Sequence, residues 1–157
     1  MKMNMIIVPE TAHINLSANG YHFWAIEYRK YAKLAISSTK QFSPVPYSLL
    51  YHAIELEIKA KIIRRGMSPA DAKEKFQHNI FRAYEALDAS EKTLDKKEES
   101  TLKKATAIQK QDSDKRAKRF EYFYPLDALR GYRGFPDLKS MVSIADKLIP
   151  DIAPDIS

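Results

Sequence analysis

The sequence contains no cysteine, which excludes disulfide bonds, thiol nucleophiles and metal sites built on cysteine ligands. Glycine is scarce, with 4 residues in 157, and Asn19-Gly20 is the single hairpin-type dipeptide, so a turn-rich β architecture is disfavoured. Long apolar runs are also missing. None approaches the length that spans a bilayer, and the start MKMNMIIVPE lacks the apolar core of a signal peptide. We therefore expect a soluble, cytoplasmic protein with no membrane association.

The charge of the chain is mildly basic, at +6 from 26 Lys and Arg against 20 Asp and Glu. This balance permits contact with nucleic acid or an acidic partner without requiring either, and a solvated surface of mixed sign is the favoured explanation. The length predicts one domain over residues 1–157, with a core over about 16–150 and terminal tails at 1–15 and 151–157.

Hydrophobic periodicity is helical over nearly the whole chain, which predicts an all-α fold, an up-and-down bundle of four to five helices. A central helix is predicted from about Pro46 to Arg65, because two adjacent apolar stripes indicate burial on more than one side. A first helix is predicted from about Leu16 to Ser38. Its buried face is expected to be the aromatic-rich set Tyr21, Trp24, Tyr28, Tyr31, Ala35 and Ser38.

Helix boundaries are signalled most clearly after the central helix. Gly66 is a stop signal, and Ser68 followed by Pro69 is typical of a helix start. A break is predicted near residues 77–79, where Asn79 can cap a further helix. One mostly solvated helix is expected within 89–119, and an amphipathic last helix is expected from near Pro136 until Pro150.

Catalytic and metal-binding motifs are absent from the sequence. There is no glycine-rich phosphate loop, nucleophile elbow or zinc pattern. The four histidines are too widely spaced for a local metal site, so we predict neither a metal nor a cofactor. These histidines are His13, His22, His52 and His78.

The polar residues of the central helix form the main candidate site. His52, Glu55 and Lys59 can line one side of that helix, and His78, followed by Asn79, can approach them if the next helix packs back. A Glu-Lys pair beside an imidazole can set its protonation near neutral pH, which is one route to acid–base chemistry. The structural alternative is that the same contacts fix how the chain enters the next helix.

A second candidate surface lies in residues 115–138, where basic and aromatic side chains are interleaved. Such a mixture can bind single-stranded nucleic acid by stacking and charge. The alternative is that the aromatic rings pin a long loop to the bundle while the charges stay in water. The candidate residues are Arg116, Arg119, Tyr122, Tyr124, Arg130 and Arg133.

Residues 47–66 and 75–87 resemble the HEPN family of helical domains (higher eukaryote and prokaryote nucleotide-binding). The shared pattern is His-Ala-x-Glu in an apolar run, then Lys-Ala, a glycine stop and a His-Asn pair that opens the next helix. A late Tyr-Pro element of some members is similar to residues 122–125. The matching positions are His52, Ala53, Glu55, Lys59, Ala60, Gly66, His78 and Asn79.

The resemblance implies a helical bundle, often a homodimer. Many members are RNases of toxin–antitoxin or defence systems, and others pair with nucleotidyltransferases or act without catalysis. RNase members carry an arginine and a histidine with four to six residues between them, and no arginine stands at that spacing before any histidine here. We therefore expect a noncatalytic HEPN-like protein that binds a nucleotide, RNA or a partner protein. The alternatives are a metal-independent RNase toxin with a divergent site, using His78 with Arg64, Arg65 or Arg82, and a structural scaffold subunit.

Overall fold

The computed structural model describes residues 14–38, 40–110 and 134–151. These ranges contain α-helices and no strand, which confirms the predicted all-α class. None of the helices in these ranges combines the length and apolar character needed to cross a membrane. In chain order the elements are α1 (Ala18–Ser38), α2 (Val45–Arg64), α3 (Pro69–Phe76), α4 (Ile80–Glu85), a 3₁₀ turn (Ala89–Glu91), α5 (Lys96–Lys110) and α6 (Leu138–Leu148).

Helix α2 is the centre of the bundle, as its two apolar stripes predicted. It packs against α1, α3, α4 and α6, while α5 closes the bundle against α4 and α6. Removal of apolar surface from water on all these sides is the main force that holds the helices together. The large apolar side chains that α2 buries are Tyr47, Leu50, Tyr51, Ile54, Ile58 and Ile62.

The predicted buried face of α1 is wrong. Tyr28 and Tyr31 are exposed, and the face that packs on α2 instead carries Ala25 and Ala32. Small side chains at these positions let the two helix backbones approach closely. Two polar residues, His22 and Arg29, lie on the same face and are buried because each has a specific partner. A hydrophobic pattern that assigns all polar residues to solvent therefore predicts the helix correctly but predicts the wrong buried face.

Arg29 ties α1 to the end of α6. Its Nη1 donates to the carbonyl oxygen of Ile149 at 2.7 Å, and its Nη2 donates to the carboxylate of Asp151. Nearby, the Lys33 ammonium lies 2.7 Å from the carboxylate of Asp146. Cations at a helix C-terminus satisfy unpaired carbonyl groups and offset the helix dipole. This contact fixes the last helix on α1 as well as on α2.

The turns on either side of α3 follow the sequence signals. Gly66 ends α2 with φ 100°. The Ser68 side chain caps α3 by accepting the Asp71 N–H at 3.1 Å, and the Asn79 side chain caps α4 by accepting the Arg82 N–H at 3.2 Å. Gln77, at the predicted break, has φ 47°. The predicted helix start, break and caps are confirmed.

Substitution of Gly66 by alanine is expected to lower the free energy of unfolding by about 1–2 kcal/mol, because a Cβ disfavours this left-handed backbone. The loss should come from the backbone alone, since an added Cβ would meet no atom within 4 Å. Urea denaturation measures it, with Arg64→Ala as the control at an exposed helical position. Equal stability of the two variants would contradict the left-handed backbone conformation at Gly66.

Helices α5 and α6 are joined by the buried carboxylate of Glu98. It accepts from the Ser143 hydroxyl at 2.7 Å and from the Lys147 ammonium at 2.7 Å. The same carboxylate completes a cap at the start of α5, where it accepts the Asp95 N–H at 2.9 Å. Most of the apolar residues of these two segments are buried, namely Leu102, Ala105, Ile108, Met141, Ala145, Leu148 and Ile149, whereas Leu138 and Val142 are partly buried.

Candidate binding cleft

The carboxylate of Glu55 is the hub of the candidate site. Its side chain is buried in α2, and its Oε1 accepts from the Lys59 ammonium at 2.5 Å. His78 Nδ1 lies 3.1 Å from the same oxygen. His52 Nδ1 lies 3.9 Å from Oε2, too far for a hydrogen bond. The expected approach of His78 to the central helix is thus confirmed.

Local sequence explains how these groups meet. Glu55 and Lys59 are four residues apart on α2, so their side chains lie on the same face in the favourable acid-before-base order. His78 lies in the tight turn between α3 and α4, and the Tyr51 hydroxyl donates to its carbonyl oxygen at 2.5 Å. Asn79 serves as the cap of α4 rather than as a member of the cluster.

The Glu55 carboxyl is held in its ionised form. Burial acts to raise the pKa of Glu55, but the hydrogen bond from His78 and the charge of Lys59 outweigh it, so this pKa lies below its ordinary value. Burial raises the pKa of Tyr51, and its phenol stays a neutral donor. Glu55 therefore carries a negative charge at neutral pH, where it lies between Lys59 and His78.

His52 lies at the edge of the cluster, on the side of α1. Its ring centroid is 5.6 Å from that of Tyr28, with the planes tilted by 43°. The side chain is partly buried between the two helices. His52 thus joins the α1–α2 packing, whereas His78 lies in the turn after α3 and lines the cleft described below.

A cleft of about 590 Å³ opens beside the cluster, between α1, α2 and α3. Its volume falls in the range typical of small-molecule sites. Lys59 and His78 form part of the wall, and Ile63, Pro69 and Ala72 add apolar surface. The full lining is Tyr21, Lys59, Ile63, Pro69, Ala70, Ala72, Lys73, Glu74, Gln77 and His78.

The charges of the cleft are unevenly compensated. Lys59 is neutralised by Glu55, whereas Lys73 is exposed and has no ion pair within the described ranges. His78 is half-exposed and binds Glu55 through Nδ1, so its Nε2 is left for other partners. Glu74 supplies an opposing charge on α3. Two donor groups in the lining of the cleft, Lys73 and His78, therefore remain available.

The structure does not test the second candidate surface. The basic and aromatic set Arg116, Arg119, Tyr122, Tyr124, Arg130 and Arg133 falls outside the described residues, as does His13. The arginines considered for a divergent nuclease site do not line the cleft. Arg65 instead binds the Asp88 carboxylate at 2.7 Å. In the described part of the chain, no three histidine or carboxylate side chains are grouped to hold a metal ion.

A second histidine–carboxylate pair was not predicted. His22 Nδ1 of α1 lies 2.6 Å from Glu57 Oε2 of α2, and both side chains are 0% exposed. Lys61 Nζ is 3.9 Å from the other Glu57 oxygen. Because 35 residues separate the partners, no local spacing signals this contact. The pair lies inside the α1–α2 interface, away from the residues that line the cleft.

Comparison with protein-family models, with curated proteins and with solved structures found no match for this chain.

Proposed function

We propose that this protein is a noncatalytic, HEPN-like helical protein that binds a phosphate-bearing ligand of the nucleotide class in the cleft between α1, α2 and α3. The observation that carries the proposal is the pairing of an apolar wall with two available donors in one cleft. Ile63, Pro69 and Ala72 suit a flat base, while Lys73 and His78 suit an anion.

Recognition of the phosphate follows from the donors at the cleft end. A lysine ammonium and an imidazole form short, charge-assisted hydrogen bonds to phosphate oxygens. Glu55 occupies Nδ1 of His78 and thereby leaves Nε2 for the ligand. The side chain of Tyr21 offers an aromatic surface on the α1 side for stacking on a base.

We infer that the protein does not cleave RNA because it lacks the arginine that RNase members carry before a histidine. No arginine of the described ranges lines the cleft, and none in the sequence precedes a histidine at the spacing found in RNase members. The resemblance to HEPN proteins supplies the wider setting of the proposal. In the proposed setting, the protein is a homodimer that works with RNA or a nucleotidyltransferase-type partner, in a toxin–antitoxin or defence system.

A second candidate function is metal-independent RNA cleavage. The observation that favours it is the carboxylate-bound imidazole, because Glu55 orients His78 and leaves Nε2 able to accept or give a proton. Lys73 would then stabilise the developing negative charge in place of an arginine. The two functions share one cleft and differ in whether the bound RNA is cut.

Calorimetric titration with AMP, ADP and a short RNA tests the proposal. We expect AMP and ADP to bind, and Lys73→Gln to weaken binding about tenfold or more, since a hydrogen bond to a charged group is lost. Lys104→Gln, the same charge change at an exposed position of α5, should leave the affinity unchanged.

A mixed RNA pool incubated with and without EDTA separates the alternatives. If the wild type cleaves RNA in the presence of EDTA and His78→Ala does not, the protein is an RNase and the noncatalytic proposal is wrong. If neither nucleotide nor RNA binds, the proposal fails and a scaffold role takes its place.

A further inference from the structure

Helix α1 turns large apolar side chains away from α2. Phe23, Tyr31 and Leu34 are 57%, 53% and 54% exposed. They lie opposite the face that Ala25 and Ala32 bury. Side chains of this size exposed along one helix face are typical of an interaction surface.

Two charged residues lie within the same strip of α1. At 3.6 residues per turn, Phe23, Glu27, Lys30 and Leu34 fall within about 60° of helix surface. Glu27 and Lys30 form no ion pair with any residue that the structure describes. Lys30 Nζ lies 5.9 Å from the ring centroid of Tyr31, so it borders the aromatic part of the strip.

The order of these residues is the same when the helix is inverted. From either end the four residues are in the order apolar, charged, charged, apolar. The Phe23–Leu34 pair and the Glu27–Lys30 pair have the same midpoint, between Tyr28 and Arg29. The acid and the base exchange places on inversion. A two-fold axis through this midpoint would therefore set Phe23 against Leu34 of the partner subunit, and Glu27 against Lys30 of the partner subunit.

We propose that this strip, residues 23–34 of α1, is an antiparallel homodimer interface in which α1 packs on α1 of a second copy of the chain. A two-fold interface brings the same patch of both copies together, so each favourable contact occurs twice. The HEPN resemblance implies a dimer but specifies neither a surface nor a register, and both come here from α1 itself. The proposal is independent of the ligand cleft.

Charge complementarity favours a second copy over other occupants and over a parallel arrangement. A parallel pair would set Glu27 against Glu27 and Lys30 against Lys30, whereas the antiparallel pair makes two opposite-charge contacts. A lipid surface would have to desolvate Glu27 without a partner, which is costly. A second copy of the chain presents the inverted order of charges and so satisfies both residues.

Sedimentation equilibrium of the full chain, with charge-reversal variants, tests the interface. We expect a wild-type dimer at micromolar concentration. Glu27→Lys and Lys30→Glu should each raise the dissociation constant at least about tenfold, because like charges then face each other twice. The double variant Glu27→Lys/Lys30→Glu restores the opposite pairing and should restore the dimer. Glu85→Lys, an exposed charge reversal on α4, is the matched control.

The double variant keeps the test informative if a single variant loses structure. A wild-type monomer would overturn the proposal, as would a dimer that the single reversals leave intact. A double variant that has wild-type helicity but stays monomeric would overturn the register. A monomer that sediments with anionic phospholipid vesicles would assign the strip to a membrane surface instead.

Discussion

Replacement of Glu57 by alanine is expected to lower the free energy of unfolding by about 3–5 kcal/mol, because it leaves a buried hydrogen-bonding group without its partner and opens a cavity. Glu57 and His22 are both completely enclosed between α1 and α2. Without the carboxylate, the imidazole would remain in the core with no partner, and a cavity would replace the lost side chain. Urea denaturation followed by circular dichroism at neutral pH measures the loss.

A matched control and a double substitution separate the pair from general effects. Glu85→Ala removes an exposed glutamate and should change stability by at most about 0.5 kcal/mol. The double variant His22→Phe/Glu57→Leu should be more stable than Glu57→Ala, because apolar replacement of both partners leaves no unpaired polar group. A loss below about 1 kcal/mol for Glu57→Ala would contradict the buried pair.

The second large effect is expected at Glu55, where alanine should lower the free energy of unfolding by about 2 kcal/mol. The change removes the acceptor of Lys59 and of His78 together. The expected loss is smaller than at Glu57 because His78 is half-exposed and water can replace part of the contact. Denaturation of Glu55→Ala beside Glu55→Gln separates lost packing from lost charge.

The contribution of Glu55 also depends on pH, with a sign fixed by its lowered pKa. The folded state holds this pKa below the ordinary value of 4.5, so the unfolded chain takes up the proton first. The stabilisation is therefore complete above pH 4.5 and is lost as the pH falls through the lower, folded value. The stability difference between wild type and Glu55→Gln should shrink in that acid range. A difference that grows on acidification would contradict the ionised carboxylate.

Much of the fold was predictable because its signals are local. The end of α2 at Gly66, the cap at Ser68 and the cap at Asn79 each depend on residues within one turn of the chain. The same holds for the Glu55–Lys59 pair, whose spacing alone sets its geometry. These features need no knowledge of which helices pack together.

The orientation of α1 was not predictable for the opposite reason. His22 and Arg29 are buried because Glu57 and the end of α6 bind them, and those partners are distant in sequence. A hydrophobicity pattern scores both residues as solvent-facing and scores Tyr28 and Tyr31 as core. The exposed strip of α1 therefore became visible only with the packing known.

Part of the cleft could be predicted from residues close in sequence, and the rest depends on tertiary packing. His78 follows directly on α3, so its position near Lys73 and Gln77 could be inferred from the chain. Tyr21 and Ile63 join them only because α1 and α3 both pack on α2. Sequence reasoning found the Glu55 cluster but had no means of locating the open volume beside it.

The most direct test of the proposed function is an amide NMR titration of the isotope-labelled protein with AMP. We predict chemical-shift changes concentrated along the cleft, at Tyr21, Ile63, Lys73, Gln77 and His78, and weakened in Lys73→Gln but not in Lys104→Gln. An unchanged spectrum at millimolar AMP, or changes confined to α5, α6 or residues 111–133, would contradict the assignment of the cleft as the binding site.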